Sequence, residues 1–159
     1  MRSIKEIFVK GVGPSSSHTM GPIKAVKYIT TKYTNIKFVK CTLYGSLAET
    51  GKGHLTDYYI DLKLKDYPHE IVFDYETKTD HPNTMIFEIT DNENKVHSEK
   101  IVSIGGGTII IGDEKTPEGK RVYPHNSMKE ILEYCEQNHL TFPQYVRKFE
   151  DNDIDSYFK

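Results

Sequence analysis

Hydrophobic positions recur along this chain in two periods, and the switches between them mark out its elements. Ile4, Ile7 and Phe8 share one helical face in a short opening segment. A run of small and polar residues follows, Gly11-Val12-Gly13-Pro14-Ser15-Ser16-Ser17-His18-Thr19-Met20-Gly21-Pro22. Pro22 suits a first helical turn, and Val26, Ile29 and Tyr33 then recur with helical spacing, which predicts a helix to about Tyr33. From Ile36 to Tyr44 the period changes to two, with Val39, Cys41 and Leu43 on one face of a predicted strand. A second loop spans 45–54, with Thr56-Asp57 as a cap for a helix running to about Lys65 and stopped near Pro68. Tyr58, Ile60, Leu62 and Leu64 in that helix also alternate like a strand, so the pattern alone leaves both open. Three more apolar runs predict strands at Ile71–Tyr75, Met85–Thr90 and Val96–Ile104, the last two joined as a hairpin through Asp91-Asn92-Glu93-Asn94. Gly105-Gly106-Gly107 is then expected to break or bulge the sheet before Thr108–Ile111.

Beyond Gly112 the apolar period lapses, and residues 113–125, charged and holding Pro117 and Gly119, are expected to form a linker. Two short amphipathic helices follow. Ser127 with Glu130, and Thr141 with Gln144, have the spacing of capping boxes. Asp151 to Lys159 is expected to fray. The pattern therefore gives an α+β body over 1–112, with a mixed or antiparallel sheet covered by helices, a linker over 113–125 and a helical tail over 126–159.

Composition narrows the function classes. The 159 residues are 36% hydrophobic and 28% charged, and 11% aromatic content compensates for the modest apolar fraction in building a core. Twenty-one Lys and Arg against 23 Asp and Glu give a net charge of −2, so neither nucleic acid nor an anionic membrane is an expected partner. No apolar run reaches the ~20 residues a membrane-spanning helix needs, and the first residues lack the apolar centre of a signal peptide. A cytoplasmic location is expected. Two cysteines, Cys41 and Cys135, provide neither a disulfide framework nor a metal-binding thiol set, and their places in apolar stripes mark them as core residues.

The candidate chemistry lies in loops. Ser15, Ser16, Ser17, His18 and Thr19 precede a helix, where hydroxyls and free N–H groups suit a carboxylate or phosphate. The same serines could equally serve as helix caps, and neither a Walker loop nor a GxGxxG loop is present. His54 sits in a second glycine-framed turn, Gly51-Lys52-Gly53-His54-Leu55-Thr56-Asp57, where a neutral imidazole is a natural proton acceptor. Lys52 beside it could hold an anion or keep that imidazole neutral; an exposed loop histidine without a role is the competing reading. His81-Pro82-Asn83 is a third polar turn, more simply structural when taken alone. His69, His97, His125 and His139 lack such surroundings and are expected at the surface. Gly105–Gly107 could cradle a phosphate, although a bulge between strands is the simpler expectation.

Five of these stretches occur in one order: Gly13-Pro14-Ser15-Ser16-Ser17-His18-Thr19, Tyr44-Gly45-Ser46-Leu47-Ala48-Glu49-Thr50, Gly51–Asp57, His81-Pro82-Asn83-Thr84 and Ser103-Ile104-Gly105-Gly106-Gly107. Over roughly residues 3–112 the chain resembles the β component of the iron–sulfur-dependent L-serine dehydratases. The tail from Ser127 to Glu150 resembles the connector to the cysteine-bearing domain of single-chain members. The resemblance implies β-elimination of water from L-serine to give pyruvate and ammonia. It implies His54 as the base at Cα with His18 beside it as a catalytic residue. Ser15, Ser16, Ser17 and Thr19 would hold the carboxylate, with Lys52, Asp57, His81 and Asn83 completing the substrate cleft. It also implies a [4Fe–4S] cluster supplied by an α component, no metal bound by this chain alone, an oligomeric assembly and no activity without that partner. The fold it implies is similar to the allosteric substrate-binding domain of phosphoglycerate dehydrogenases. The longer insertion that many single-chain members carry before the His-Pro-Asn turn is missing here. A regulatory module that binds an amino acid or small anion without catalysis is the alternative the residues leave open. A self-contained hydrolase or pyridoxal enzyme is less compatible with 159 residues.

Overall fold

A computed structural model describes residues 1–114, 121–151 and 153–159. They fall into two compact units, Lys10–Thr116 and Met1–Val9 with Pro117–Lys159. Of the expected linker, 115–120 lies outside the described residues.

The larger unit is α+β. Its elements in order are α1 (Gly21–Lys32), β1 (Ile36–Tyr44), α2 (Ser46–Thr50), α3 (Thr56–Leu64), β2 (His69–Asp74), β3 (Thr84–Asp91), β4 (Val96–Ile104) and β5 (Thr108–Ile111). The five strands form one mixed sheet in the order β2-β1-β3-β4-β5. β1 and β2 pair in parallel, with Cys41 opposite Ile71, and the crossover such a pair requires is made by α2 and α3. The remaining pairs are antiparallel.

Strand alternation builds the core. Leu43 lies opposite Met85, and Met85 opposite Ile101, so three strands contribute one continuous row. Cys41 against Phe87 and Val39 against Ile89 repeat the arrangement, and all seven side chains are fully buried. Ala25, Val26 and Ile29 of α1 and Ile60 and Leu64 of α3 close over that face. The ambiguous period of 58–64 resolves as helix: Ile60 and Leu64, four apart, are buried, whereas Tyr58 and Leu62 are exposed.

Three local expectations are corrected. The loop over 45–54 contains α2 and a 3₁₀ turn, Lys52–His54. Thr56-Asp57 does not cap α3, because Leu55 precedes it in the left-handed region at φ 58° and the Thr56 hydroxyl is drawn to the His18 carbonyl at 2.5 Å. Gly105–Gly107 is a tight hairpin turn rather than a bulge, since Ile104 pairs directly with Thr108 and the turn needs positive φ at Gly106 and Gly107.

In the smaller unit, α4 (Met128–Gln137) and α5 (Phe142–Phe149) bury Ile131, Cys135 and Tyr145 with Tyr123. The Ser127 hydroxyl accepts from Glu130 N, and Gln144 Oε1 accepts from Thr141 N, as their spacing predicted. The end of the chain is not frayed: α6 (Ile154–Tyr157) buries Ile154, and the Tyr157 hydroxyl donates to the Lys5 and Phe8 carbonyls. Among the described residues no helix is long and apolar enough to cross a membrane.

Candidate active site

The polar loops of the larger unit converge through hydrogen bonds that their sequence separation conceals. Ser15 begins the arrangement: its hydroxyl accepts from His18 N at 3.1 Å and its carbonyl from Thr19 N and Met20 N at 3.2 Å each. Residues Ser16–Met20 thereby coil as a π-helical turn running straight into α1. The turn is anchored from two directions. The Thr19 hydroxyl, fully buried, donates to the His54 carbonyl at 2.9 Å, and the Thr56 hydroxyl donates to the His18 carbonyl. These two bonds lock the serine loop to the turn that carries His54.

The two histidines face each other, with ring centroids 4.8 Å apart and planes inclined by 40°. His54 Nδ1 lies 2.9 Å from the Thr50 carbonyl oxygen, which can only accept. The neutral ring therefore carries its hydrogen on Nδ1 and keeps a basic lone pair on Nε2. His18 is held at both nitrogens by hydroxyls, Nδ1 to Ser17 at 3.0 Å and Nε2 to Ser46 at 2.9 Å. Burial holds the His18 pKa below the ordinary imidazole value and the nearness of His54 acts the same way, against an opposing contribution from Ser46. A neutral His18 leaves its neighbour free to accept a proton without like-charge repulsion.

That lowering has a consequence for stability. In the pH interval just below 6.5 the unfolded chain takes up a proton at His18 that the folded chain refuses, so stability is complete above this interval and falls as pH descends through it. Thermal melts should accordingly give a lower Tm at about pH 5.5 than at about pH 7.5, and His18→Gln should remove part of the difference. An identical pH dependence in the variant would contradict this assignment.

The His-Pro-Asn turn joins the same frame. Ser46 N donates to the Pro82 carbonyl at 2.8 Å, an approach possible because Gly45 carries no side chain; a Cβ there would lie 2.7 Å from that oxygen, at φ 51°. His81 Nδ1 accepts from Asn83 N at 3.0 Å, so the neutral ring presents Nε2–H as a donor. Asn83 Oδ1 is buried and has no hydrogen-bond partner among the described residues. Gly51 is equally constrained: a Cβ would stand 2.1 Å from the Leu47 carbonyl oxygen. Gly51→Ala should therefore displace the turn bearing His54, and the loss of the close His18–His54 ring contact would be visible in the chemical shifts of both imidazoles.

Of the residues singled out from sequence, Ser15, Ser17, His18, Thr19, His54, His81 and Asn83 enter this connected frame, and Ser16 lies exposed within the loop. Among the described residues, Lys52 and Asp57 do not join it through side-chain hydrogen bonds. The Lys52 ammonium sits 5.1 Å from the centroid of the Phe73 ring, and Asp57 accepts from Tyr58 N. Ser46 and Thr50 carry no individual role in the sequence reading and Thr56 only that of a helix cap, yet each fixes a histidine or its backbone. The glycines before them were the available signal, because glycine permits the close approaches these contacts need. Outside the frame, His69, His97 and His125 are half-buried and hydrogen-bonded rather than free at the surface, to Asp61, Asp91 and Tyr145 respectively; His139 is exposed.

Both cysteines are buried, Cys41 on β1 and Cys135 on α4, and burial pushes the Cys41 thiol far above its ordinary pKa. Two such thiols do not fit an iron–sulfur cluster. Among the described residues no group of three or more His, Cys, Asp or Glu is placed to hold a metal ion.

Residues 3–67 match the family model described as serine dehydratase beta chain. An L-serine dehydratase of Helicobacter pylori (strain ATCC 700392 / 26695) is 30% identical over 191 residues, covering 91% of this chain and 42% of the relative. One of Haemophilus influenzae (strain ATCC 51907 / DSM 11121 / KW20 / Rd) is 30% identical over 187 residues, covering 88% and 41%. L-serine dehydratase 1 of Escherichia coli (strain K12) is 28% identical over 209 residues, covering 99% and 46%. The chain thus spans less than half the length of these relatives. Each alignment is longer than the 159 residues of this chain, so the relatives carry additional residues inside the matched region.

Proposed function

We propose that the chain, whose residues 3–67 match the serine dehydratase beta chain model, is the β part of an L-serine dehydratase. In this reading it binds L-serine and supplies proton-transfer groups for its conversion to pyruvate and ammonia. The observation that carries the reading is His54: a backbone carbonyl fixes its hydrogen on Nδ1, leaving Nε2 as a base against His18 and the serine loop.

Elimination of water from serine requires removal of the Cα proton and departure of the β-hydroxyl. His54 Nε2 takes the Cα proton and becomes an imidazolium, whose Nδ1–H stays on the Thr50 carbonyl. As the Cα–H electron pair forms the Cα–Cβ double bond, the β-hydroxyl leaves and takes the proton from the His54 imidazolium to depart as water, restoring the neutral ring; the aminoacrylate tautomerises to an imine, and hydrolysis gives pyruvate and ammonia. The substrate carboxylate is assigned to the loop formed by Ser15, Ser16 and Ser17, with His81 Nε2–H as a further donor. Asn83 Oδ1, the unpartnered acceptor, suits the α-ammonium group. Thr19 supports the loop from within, its hydroxyl being committed to Ser15 N and the His54 carbonyl. Lys52 and Asp57 are assigned to the outer cleft, where Lys52 favours the substrate carboxylate by charge.

The activity of the assembled enzyme is proposed to need a partner. The iron–sulfur cluster implied by the resemblance does not fit the two buried thiols here, so its ligands are assigned to a cysteine-bearing α component. Titration of the chain with L-serine tests the binding half of the proposal. His18 and His54 imidazole resonances should shift together and saturate, and D-serine should reproduce this poorly. No saturable shift with L-serine would overturn the site assignment.

A further inference from the structure

The row of core residues on β4 ends in a polar side chain. Ile101 and Ser103 share the inward face, and both are fully buried. A buried hydroxyl requires a partner. The Ser103 hydroxyl donates to the Ser17 carbonyl at 2.7 Å, and the Ser103 N–H donates to the Asn83 carbonyl at 2.9 Å. One residue thus ties the serine loop and the His-Pro-Asn turn to the sheet.

The reason for a hydroxyl here lies in the loop's own backbone. Residues 16–20 follow the π pattern, in which a carbonyl accepts from the N–H five residues on. Ser15 accepts from Met20 N, and Ser16 from Gly21 N. Next in that series Ser17 would accept from residue 22, which is proline and has no N–H. We propose that the Ser103 hydroxyl is the positioning group of the serine loop, supplying the donor that Pro22 cannot and so fixing how Ser17 and His18 face a ligand. Gly21 makes room for it: a Cβ there would lie 1.9 Å from Ser103 Oγ. Without the hydroxyl the Ser17 carbonyl is left without this partner, and the turn relaxes away from the arrangement in which Ser17 Oγ meets His18 Nδ1.

The identity of the ligand rests on the function proposed above; the positioning role does not, and its test has a readout without ligand. In the full chain, Ser103→Ala should weaken L-serine binding about tenfold, the effect of leaving one buried acceptor unpaired. It should also shift the ¹⁵N imidazole signals of His18 in the unliganded protein. Pro22→Ala restores an N–H at the missing position, so the double variant Ser103→Ala/Pro22→Ala should recover the His18 signals and most of the affinity. If Ser103→Ala does not fold, Ser103→Cys replaces it, its thiol being only a weak donor. Unchanged His18 signals in the single variant, or failure of the double variant to recover them, would overturn the proposal. Absence of L-serine binding by the unaltered chain would count against the proposed function alone, with the His18 signals still deciding the role of Ser103.

Discussion

His54→Ala is expected to lower serine turnover of the assembled enzyme by about 10²–10⁴-fold, the usual contribution of a positioned general base. L-serine affinity should change much less, because the loop assigned to the carboxylate is held by other residues. Its anchor on this side is the bond from Thr19 to the His54 backbone carbonyl, which alanine retains. The expected signature is a fall in kcat with little change in KM. His54→Gln should not rescue turnover, since an amide can hydrogen-bond but does not take a proton near neutral pH. Near-normal turnover in either variant would remove His54 as the base.

Glu150→Ala should produce the largest loss of stability, at least about 3 kcal/mol in the smaller unit, because one truncation orphans three donors at a buried position. Glu150 is 7% exposed. Its carboxylate accepts from the Tyr123 hydroxyl at 2.6 Å, the Ser3 hydroxyl at 2.7 Å and Ile4 N at 2.9 Å. Burial alone would raise its pKa, but the hydrogen bonds from Tyr123, Ser3 and Ile4 outweigh it and hold the group below the ordinary carboxylate value. Stability from this group is complete above the unfolded carboxylate value and is lost as pH falls through the lower folded one. Glu150→Gln keeps an acceptor and should cost less than Glu150→Ala. Hydrogen exchange at the Ile4 amide should accelerate strongly in the alanine variant, whereas unchanged protection there would show that Glu150 does not hold the amino-terminal segment.

Periodicity made most of the sheet legible. Val39, Cys41 and Leu43 alternate unmistakably, and the Asp91–Asn94 turn between two β-rich runs needs no tertiary information. The parallel pairing of β1 with β2 was not legible, because a period-two pattern says which face a strand buries and nothing about its neighbours. Thr56-Asp57 misled for a similar reason. The residue types are those of a cap, but the Thr56 hydroxyl finds a better acceptor in the His18 carbonyl, 38 positions away. The amino-terminal segment showed an amphipathic face, yet its partners Glu150 and Tyr157 come from the far end of the sequence.

The site was legible in its parts and not in its geometry. Glycine-framed loops announced His18 and His54 as candidates, and five motifs in order pointed to a family. That the two rings meet at 4.8 Å, and that Ser46 and Thr50 set their hydrogen bonds, depends on loops brought together by the sheet. Ser103 was visible only as part of a motif. Its role emerges from the absence of an N–H at Pro22, which matters once the loop is known to coil as a π turn.

We propose above all that this chain is the β part of a serine dehydratase. The most direct test is anaerobic isolation of the tagged chain from its native cells, followed by assay of the eluate for serine-dependent pyruvate and bound iron. The account predicts co-purification of a cysteine-bearing protein with iron and with pyruvate-forming activity. An iron-free, inactive eluate, under conditions that preserve such clusters in a known serine dehydratase, would contradict it and leave a module that binds its ligand without catalysis.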